Sequence, residues 1–302
     1  MSLSPTPLRL TVTGQLGQVV TALAAAAPQH GMIVTPLGRP DLDLADPTGV
    51  DAALAATRPD VIVNAAAYTA VDKAEAEPDL ARTVNALGAE AVARCAARLG
   101  LPVIQISTDY VFGDFGDQAL TERDAPGPLN MYGRTKWEGE TRVAAATANH
   151  AILRTSWVHA PFGANFVRSM LRLAANRDEI RIVADQHGSP TSALDIAEGI
   201  VAVARNLHER PSEAGLRGVF HMTASGYTTW AAFAEAIFAA SASRGGPTAK
   251  VIAITTAEYP TAATRPLNSR LDCSHIAATH GVRLPDWRSS IKPTVERLLA
   301  QA

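Results

Sequence analysis

Residues 8–20, LRLTVTGQLGQVV, decide the fold, because an apolar run here meets two glycines and continues into an alanine-rich segment. The apolar run predicts a buried strand, and the segment as far as residue 27 predicts a helix. Glycines at such a junction let the backbone turn tightly and approach a phosphate group closely. The stretch therefore predicts a strand, a turn and a helix whose N-terminus would hold the pyrophosphate of a dinucleotide.

The turn fits a dinucleotide-binding motif incompletely. Gly14 and Gly17 suit the tight bend and the close approach to the pyrophosphate, but Val20 stands where a third glycine usually allows close helix packing. An ordinary strand-to-helix turn is the alternative explanation. The turn follows the first strand of a chain in which strands and helices alternate, and this position favours the cofactor interpretation. The candidate cofactor contacts in this turn are Gly14, Gln15, Leu16, Gly17, Gln18 and Val19.

Strand and helix patterns alternate along the first half of the chain. Four further strands are predicted, each apolar on both faces, at residues 32–37, 60–67, 102–108 and 151–158. Helices are predicted between them, over residues 47–57, 79–99 and 132–146. Strands that are apolar on both faces are typical of a parallel sheet covered by helices on each side. We therefore predict an α/β fold, a Rossmann-like doubly wound parallel sheet.

The pattern becomes less regular after residue 157. Helices are predicted over residues 165–176, 195–207 and 229–241 and near residue 294, with strands at 179–183 and 218–222, while 209–218 and 243–250 read as surface loops. We predict a dinucleotide-binding domain over residues 1–157 and a smaller α/β substrate domain over 158–302. Residues 190–215 are expected to pack back on the first domain.

Composition points to a small-molecule partner. The 302 residues include 27 basic and 29 acidic side chains, for a net charge of -2, so no basic footprint for nucleic acid or an anionic membrane is present. No apolar run approaches the roughly 18 residues of a membrane span, and residues 1–7 lack the pattern of a signal peptide. Cys95 and Cys273 are too few for a disulfide framework or a zinc site, which suits the reducing cytoplasm.

The ends of the second and third strands bear on the choice of dinucleotide. A basic residue after the second strand pairs with the 2′-phosphate of NADP, whereas an acidic one binds the ribose of NAD. Arg39 therefore favours NADPH, with NADH as the alternative if Arg39 is simply solvated. Further candidate contacts are Asp43 and Leu44 beside the adenine, and the small residues Ala65, Ala66 and Ala67.

A tyrosine and a lysine lie one helical turn apart in LNMYGRTKWEGE, residues 129–140. Tyr132 and Lys136 therefore share a helix face. A free phenol has a pKa near ~10, and a neighbouring ammonium group is expected to lower the pKa of Tyr132. Such a pair serves as a proton relay beside a hydride donor, although a chance spacing is the alternative.

Thr108 ends the strand that precedes this helix. Ligands of open α/β sheets bind beyond the carboxyl ends of the strands, so Thr108 is expected to reach the same pocket as Tyr132. Its hydroxyl would donate to a carbonyl oxygen that Tyr132 protonates, although it would otherwise cap its own loop. The three residues together predict the reduction of a carbonyl group.

Longer blocks of the sequence resemble the dTDP-4-dehydrorhamnose reductases, members of the extended short-chain dehydrogenase/reductase group. The blocks are RPDVIVNAAAYTAVDKAEAEP, VNALGAEAVA, ISTDYVF, PLNMYGRTKWEGE, RTSWV, NFVRSMLRLA, DQHGSPTSA and RPLNSRLDC. The resemblance implies NAD(P)H-dependent reduction of the 4-keto group of dTDP-4-dehydro-β-L-rhamnose to dTDP-L-rhamnose, for cell-surface polysaccharide biosynthesis. It assigns catalysis to Thr108, Tyr132 and Lys136.

The resemblance also implies individual binding contacts. Tyr68 falls with Ala65 and Ala66 in the stretch that lines the cofactor, and Arg265 is expected to bind diphosphate oxygens bidentately. His187 is interpreted as structural. The implied substrate contacts are Thr69, Asp109, Tyr110, Trp157, Asn165, Phe166, Gln186, Arg265 and Asn268.

Some relatives dimerise through a metal that carboxylates hold shortly after the SPT block. Residues 192–194 of this chain, Ser-Ala-Leu, offer no carboxylate before Asp195, so we predict no metal. The expected assembly is a monomer or a homodimer.

Two other functions fit the same residues. The fold accommodates many sugars, so another nucleotide-sugar reductase or epimerase is one alternative. A regulatory subunit that binds a dinucleotide without reducing anything is the other. The presence of Thr108, Tyr132 and Lys136 together argues against the regulatory subunit.

Overall fold

The computed structural model describes residues 6–301. Residues 1–5, part of the stretch that we inspected for a signal peptide, lie outside the described residues. The strands are β1 (Leu8–Thr13), β2 (Met32–Leu37), β3 (Val61–Asn64), β4 (Val103–Thr108), β5 (His150–Thr155), β6 (Val158–His159), β7 (Glu179–Val183), β8 (His187–Gly188), β9 (Thr191–Ser192), β10 (Gly218–His221), β11 (Thr228–Thr229) and β12 (Lys250–Ile254).

The helices lie between these strands. They are α1 (Gln18–Ala26), α2 (Val50–Ala56), α3 (Val71–Ala76), α4 (Pro78–Arg82), α5 (Ala89–Leu99), α6 (Met131–Ala146), α7 (Phe166–Ala174), α8 (Ala193–Glu209), α9 (Trp230–Ala242), α10 (Ser274–His280) and α11 (Trp287–Leu299). Among residues 6–301, no helix is long and apolar enough to cross a membrane.

Six parallel strands form the central sheet, in the order β2-β1-β3-β4-β5-β10. The direction of winding reverses between β1 and β3, and such a reversal leaves a crevice at the carboxyl ends of the two strands. The prediction of an α/β fold around a doubly wound parallel sheet is confirmed.

Helices cover both faces of this sheet because successive strand side chains point to opposite sides. On one face, Leu10 and Leu153 belong to a buried cluster with residues of α1 and α8. On the other face, Ile62 and Ile152 pack with residues of α2, α5 and α6. The sheet therefore buries apolar side chains on both faces, as expected for a parallel sheet covered by helices.

The helix predicted over residues 79–99 is divided into three parts. A π-helical turn, Thr83–Gly88, separates α4 from α5. Within it, the Asn85 side chain accepts a hydrogen bond from the Tyr68 amide at 2.8 Å and donates to the Tyr68 carbonyl at 3.1 Å. This tertiary contact overrides the regular helical pattern, and π-turns of this kind are frequent at functional sites.

A second apolar core lies in the C-terminal half. Val167, Ile180, Phe233 and Trp287 belong to it, from α7, β7, α9 and α11. β7 pairs in parallel with β12, which begins at Lys250, the last residue of a predicted loop. Helices α3 and α10 were also not predicted, because both are too short to show a helical period.

The segment after residue 190 returns to the central sheet. Helix α8 packs beside α1 in the same apolar cluster, and β10 then pairs with β5. The segment expected to pack back, residues 190–215, contains all of α8 and ends before β10. The boundary at residue 157 stays a prediction.

Candidate active site

A cleft of about 710 Å³ lies at the carboxyl ends of the central strands. It extends from the glycine turn after β1 to the start of α6. The predicted site residues that line it are Gly14, Gly17, Gln18, Val19, Arg39, Ala65, Ala66, Ala67, Thr69, Thr108, Asp109, Tyr110, Tyr132, Lys136 and Trp157. The topology therefore brings the candidate catalytic residues and most of the candidate cofactor contacts into one space.

A second cavity of about 520 Å³ shares Gly14, Arg39, Ala66 and Ala67 with this cleft. The remaining predicted cofactor residues line it, namely Gln15, Leu16, Asp43, Leu44 and Tyr68. The two cavities adjoin along the sheet edge, an arrangement that suits an extended dinucleotide.

Two predicted substrate residues have structural contacts instead. The Asn165 side chain accepts a hydrogen bond from the Arg168 amide at 3.2 Å, which caps α7, and donates to the Ala160 carbonyl at 2.9 Å. The Phe166 ring packs 4.6 Å from the ring of Trp230, between centroids. Neither residue lines the two cavities, so their contact with a substrate stays a prediction.

Gln186 and Asn268 are also committed to hydrogen bonds between loops. Gln186 Nε2 donates to the Thr256 hydroxyl at 3.1 Å, and Asn268 Nδ2 donates to the Gln118 carbonyl at 2.8 Å. Both side chains are buried outside the cleft. They fix the loops around the site, whereas their predicted substrate contacts stay untested.

The glycine turn is built as a phosphate-binding turn requires. Gly14 has φ of 102°, in the left-handed region that favours glycine, and its amide donates to the Leu37 carbonyl at 2.7 Å. Among the described residues, no side chain caps the N-terminus of α1 at Gly17, so its amide groups are available to an anion.

The departure at Val20 is accommodated by packing. Val20 is 2 % exposed and belongs to the apolar cluster under β1. A Cβ on Gly14 would lie 3.3 Å from Val20 Cγ2. The valine side chain thus fills the space that the bare glycine leaves, and the turn keeps its shape.

Helix α6 presents the tyrosine and the lysine to the cleft. Its first turn is capped by Asn130, whose side chain accepts a hydrogen bond from the Gly133 amide at 2.8 Å. The Lys136 ammonium is buried and donates to the Ile106 carbonyl on β4 at 2.7 Å. This bond fixes the lysine between the helix and the sheet, on the face that carries Tyr132.

Burial shifts the pKa of both residues of this pair. Desolvation at the cleft wall raises the pKa of Tyr132 to about 12, although the polar Thr108 hydroxyl opposes the rise. Burial lowers the pKa of Lys136 to about 8, and the charge of Glu140 opposes that fall. The net shift of the Tyr132 pKa is upward because desolvation of the phenolate dominates, and the prediction that Lys136 lowers this pKa stays untested.

Thr108 and Asp109 form a hydrogen-bonded pair beside the phenol. The Thr108 hydroxyl donates to Asp109 Oδ1 at 2.8 Å and accepts from the Tyr110 amide at 3.2 Å. It therefore both caps its own loop and lines the cleft. A hydroxyl has one proton, so Thr108 must release Asp109 before it can donate to a bound carbonyl.

The Asp109 carboxyl has an unusual environment. It is 3 % exposed, and its Oδ2 has no hydrogen-bond partner among the described residues. Burial raises the pKa of Asp109 to about 6. A carboxyl that gains a proton this close to neutral pH beside the cleft is typical of a functional group.

A buried ion pair supports the site from behind and was not predicted. Arg154 Nη2 lies 2.7 Å from Glu140 Oε2, with both side chains 5 % exposed, and Ser107 donates to the same carboxylate. Glu140 follows Lys136 by one helical turn in the sequence, so the spacing offered a signal for it. The carboxylate of Glu140 thus joins α6 to β4 and β5, and its charge also favours the protonated form of Lys136.

Arg265 lines neither cavity and is paired with a residue that was not predicted. Its guanidinium binds both carboxylate oxygens of Asp72, at 3.0 and 2.7 Å. Asp72 follows Val71, which lines the cleft. The pair connects the C-terminal half to α3, a link that the sequence pattern does not reveal.

Within residues 6–301, no group of three or more His, Cys, Asp or Glu side chains is placed to hold a metal ion. Ser192, just before the segment where some relatives were expected to hold a metal, instead accepts a hydrogen bond from the Leu194 amide at 3.2 Å. It serves as the N-cap of α8.

Comparison with known proteins places this architecture in a family. A family model described as the RmlD substrate binding domain matches residues 8–300. A dTDP-4-dehydrorhamnose reductase from Sinorhizobium fredii is 49% identical over 294 residues, which cover 97% of this chain and 99% of that protein.

Solved structures agree over the same length. The crystal structure of a dTDP-4-dehydrorhamnose reductase from Clostridium acetobutylicum has a TM-score of 0.88 at 34% identity and covers 98% of this chain and 100% of that chain. That of a dTDP-4-dehydrorhamnose reductase from Bacillus anthracis in complex with NADP has a TM-score of 0.86 at 32% identity, with the same coverage. The chain therefore belongs to the dTDP-4-dehydrorhamnose reductase family.

Proposed function

We propose that this chain reduces the 4-keto group of dTDP-4-dehydro-β-L-rhamnose with NADPH and forms dTDP-L-rhamnose. The observation that carries the proposal is the convergence of Thr108, Tyr132 and Lys136 in one cleft with the glycine turn. Relatives at up to 49% identity over nearly the whole chain bear the name of this reductase. The proposal rests on the site as well as on the family.

The cleft suits a dinucleotide cofactor. The uncapped start of α1 offers amide groups to a pyrophosphate, and Leu16, 90 % exposed beside it, offers an apolar surface for a ligand to cover. Lys136, which lines the same cleft, would hold the nicotinamide ribose. When bound, the reduced nicotinamide supplies the hydride for the sugar carbonyl.

The chain's own residues provide the proton and the polarisation. Tyr132 is protonated at neutral pH, since its pKa is about 12, and can give its proton to the oxygen as negative charge develops there. Lys136 holds a positive charge nearby and helps to stabilise the resulting phenolate. Thr108 would orient the carbonyl once its hydroxyl releases Asp109, to which it donates in the structure.

Arg39 supports NADPH as the cofactor. It lines both cavities, and among the described residues its guanidinium has no ion-pair or hydrogen-bond partner, so it is available to a 2′-phosphate. The relative from Bacillus anthracis was solved with NADP.

Replacement of Arg39 by alanine tests this assignment. Because a charged hydrogen bond contributes about 1.5–3 kcal/mol, Arg39→Ala should weaken NADPH binding about tenfold or more. NADH affinity should stay within about twofold, since NADH lacks the 2′-phosphate. Both dissociation constants are measured by isothermal titration calorimetry. An equal loss for the two cofactors would contradict the assignment.

The reaction itself is tested with purified protein, NADPH and a panel of dTDP- and UDP-linked 4-keto sugars. Loss of the near-ultraviolet absorbance of NADPH reports turnover, and NMR of the product reports the configuration at C4. We expect the dTDP-4-keto-6-deoxy sugar to be reduced to the rhamnose configuration. Tight NADPH binding without turnover of any keto sugar would support the regulatory subunit instead.

We also propose the cytoplasm as the compartment. Cys95 and Cys273 are both free thiols, as expected where glutathione keeps cysteines reduced. The expected assembly, a monomer or a homodimer, stays a prediction.

A further inference from the structure

Two tryptophans form a stacked wall at the cleft. The rings of Trp157 and Trp230 have centroids 3.6 Å apart and planes inclined by 10°. Both side chains line the cleft that holds Tyr132. Two indoles that line a polar cleft offer apolar surface to a ligand.

Trp157 adopts a backbone conformation that a bulky residue avoids. Its φ is 46°, in the left-handed region, directly after β5. Such a conformation persists only when the surroundings determine it, and it is concentrated at ligand-binding sites. The contacts of the indole therefore have to hold it in place.

Trp230 provides one of these contacts from a rigid position. It is the first residue of α9, whose N-cap Thr229 accepts a hydrogen bond from the Ala232 amide at 3.2 Å. Behind it, the Phe166 ring packs with centroids 4.6 Å away. The helix start and this aromatic packing together fix the plane of the Trp230 indole.

Gly188 provides a second contact. A Cβ at this position would lie 2.6 Å from Trp157 Cε2, so only glycine leaves room for the indole. Gly188 pairs with Thr228 in the short antiparallel ladder that leads into α9. The same piece of the C-terminal half thus supports Trp157 from Gly188 and from Trp230.

We infer that Trp230 is a positioning residue for the sugar: it holds the Trp157 indole against the cleft so that the apolar face of a 6-deoxy hexose packs on it. The inference rests on the proposed function. Trp230 acts through Trp157. Loss of the Trp230 indole should therefore weaken binding of the sugar nucleotide while binding of the cofactor stays unchanged.

The test is a double-mutant cycle with Trp157→Leu, Trp230→Leu and both together, followed by NADPH oxidation with the dTDP-linked 4-keto sugar. We expect Trp230→Leu to raise KM for the sugar about three- to tenfold, with KM for NADPH within about twofold. The double variant should be no worse than Trp157→Leu, because the two residues act as one unit. Trp230→Phe, which keeps a stacked ring, should recover most of the wild-type KM.

A spectroscopic signature accompanies the kinetics. Two indoles stacked face to face couple their strong far-ultraviolet transitions, so the far-ultraviolet circular dichroism couplet expected of this pair should be absent in either single leucine variant. Three results would overturn the inference: additive effects of the two substitutions on KM for the sugar, unchanged kinetics in Trp230→Leu, or an equal rise in KM for the sugar and for NADPH. In each of these cases an active wild-type chain would still uphold the proposed function. An inactive wild-type chain would overturn both.

Discussion

Asp109 shows how a single residue can serve a site at the expense of stability. Its folded pKa is about 6, compared with 3.8 for a free side chain. Between pH 3.8 and about pH 6 the folded state therefore binds more protons than the unfolded state. The free energy of unfolding falls as the pH rises through this range. Above pH 6 the buried charge costs about 3 kcal/mol, at about 1.4 kcal/mol per pKa unit.

Asp109→Asn is therefore expected to stabilise the protein at pH 7 by up to about 3 kcal/mol. Urea unfolding at pH 7 and at pH 5 measures the free energy of unfolding of the variant and of the wild type. The difference between the two proteins should be smaller at pH 5, where the wild-type carboxyl is mostly protonated. Asp117→Asn, at an exposed position, serves as the control. A variant less stable than the wild type at pH 7 would contradict this account of Asp109.

The positions of the candidate catalytic residues follow from local rules, but their ionisation does not. Tyr132 and Lys136 share a face because they lie one helical turn apart, and Thr108 joins them because parallel strands end at one edge. The sign of the Tyr132 pKa shift depends instead on how completely the surrounding chain excludes water. That property comes from distant segments, so no pattern around residue 132 contains it.

Helix α6 is the element on which the site depends, and glycine allows its close approach to the π-helical turn. A Cβ on Gly139 would collide with the Asn85 carbonyl oxygen. The same Asn85 forms the hydrogen bonds to Tyr68 beside the cofactor cavity. The packing of α6 on this turn therefore positions Tyr132 and Lys136 relative to the cofactor path.

Gly139→Ala is expected to lower the free energy of unfolding by about 1–3 kcal/mol, since overpacking forces the helix away from the turn. The displacement should also lower kcat/KM for the keto sugar. The matched control is Gly49→Ala, where nothing lies within 4 Å of the added methyl group and φ is -84°. That control should be neutral or slightly stabilising. Equal behaviour of the two variants in urea unfolding would contradict the proposed packing role.

At the element scale, the regular units of the central sheet were predictable from strand and helix periods. The π-helical turn was not, because it is created by the contact between Asn85 and Tyr68 rather than by local preference. The pairing of β12 with β7 was also missed, since residues 243–250 contain turn-forming residues up to the first residue of the strand.

At the scale of the whole molecule, the Arg265–Asp72 ion pair joins the C-terminal half to α3 at the rim of the cleft. The Asn130 side chain, which caps α6, adds a second link by donating to the Thr264 carbonyl at 2.8 Å. Both links lie beside the candidate catalytic residues. No sequence pattern reveals such long-range contacts, and Asp72 was accordingly not predicted.

The variant Arg265→Met tests whether Arg265 contacts the diphosphate of the substrate or serves only to link the C-terminal half to α3. If Arg265 binds the diphosphate, KM for the sugar nucleotide should rise about tenfold or more, while KM for NADPH stays within about twofold. Asp72→Asn should leave the KM for the sugar unchanged or lower it, because it frees the guanidinium. Arg181→Met, on an exposed pair with Glu258, is the control. If Arg265→Met and Asp72→Asn raised KM for the sugar nucleotide equally, the ion pair would be only a structural link.

The central claim is that the Tyr132 phenol gives its proton to the reduced carbonyl oxygen. The most direct measurement is the turnover number of Tyr132→Phe with NADPH and the dTDP-linked 4-keto sugar, together with the NADPH dissociation constant. Removal of a general acid should lower turnover about a hundredfold or more, with NADPH affinity within about threefold of the wild type. Turnover within about twofold of the wild type would contradict the claim.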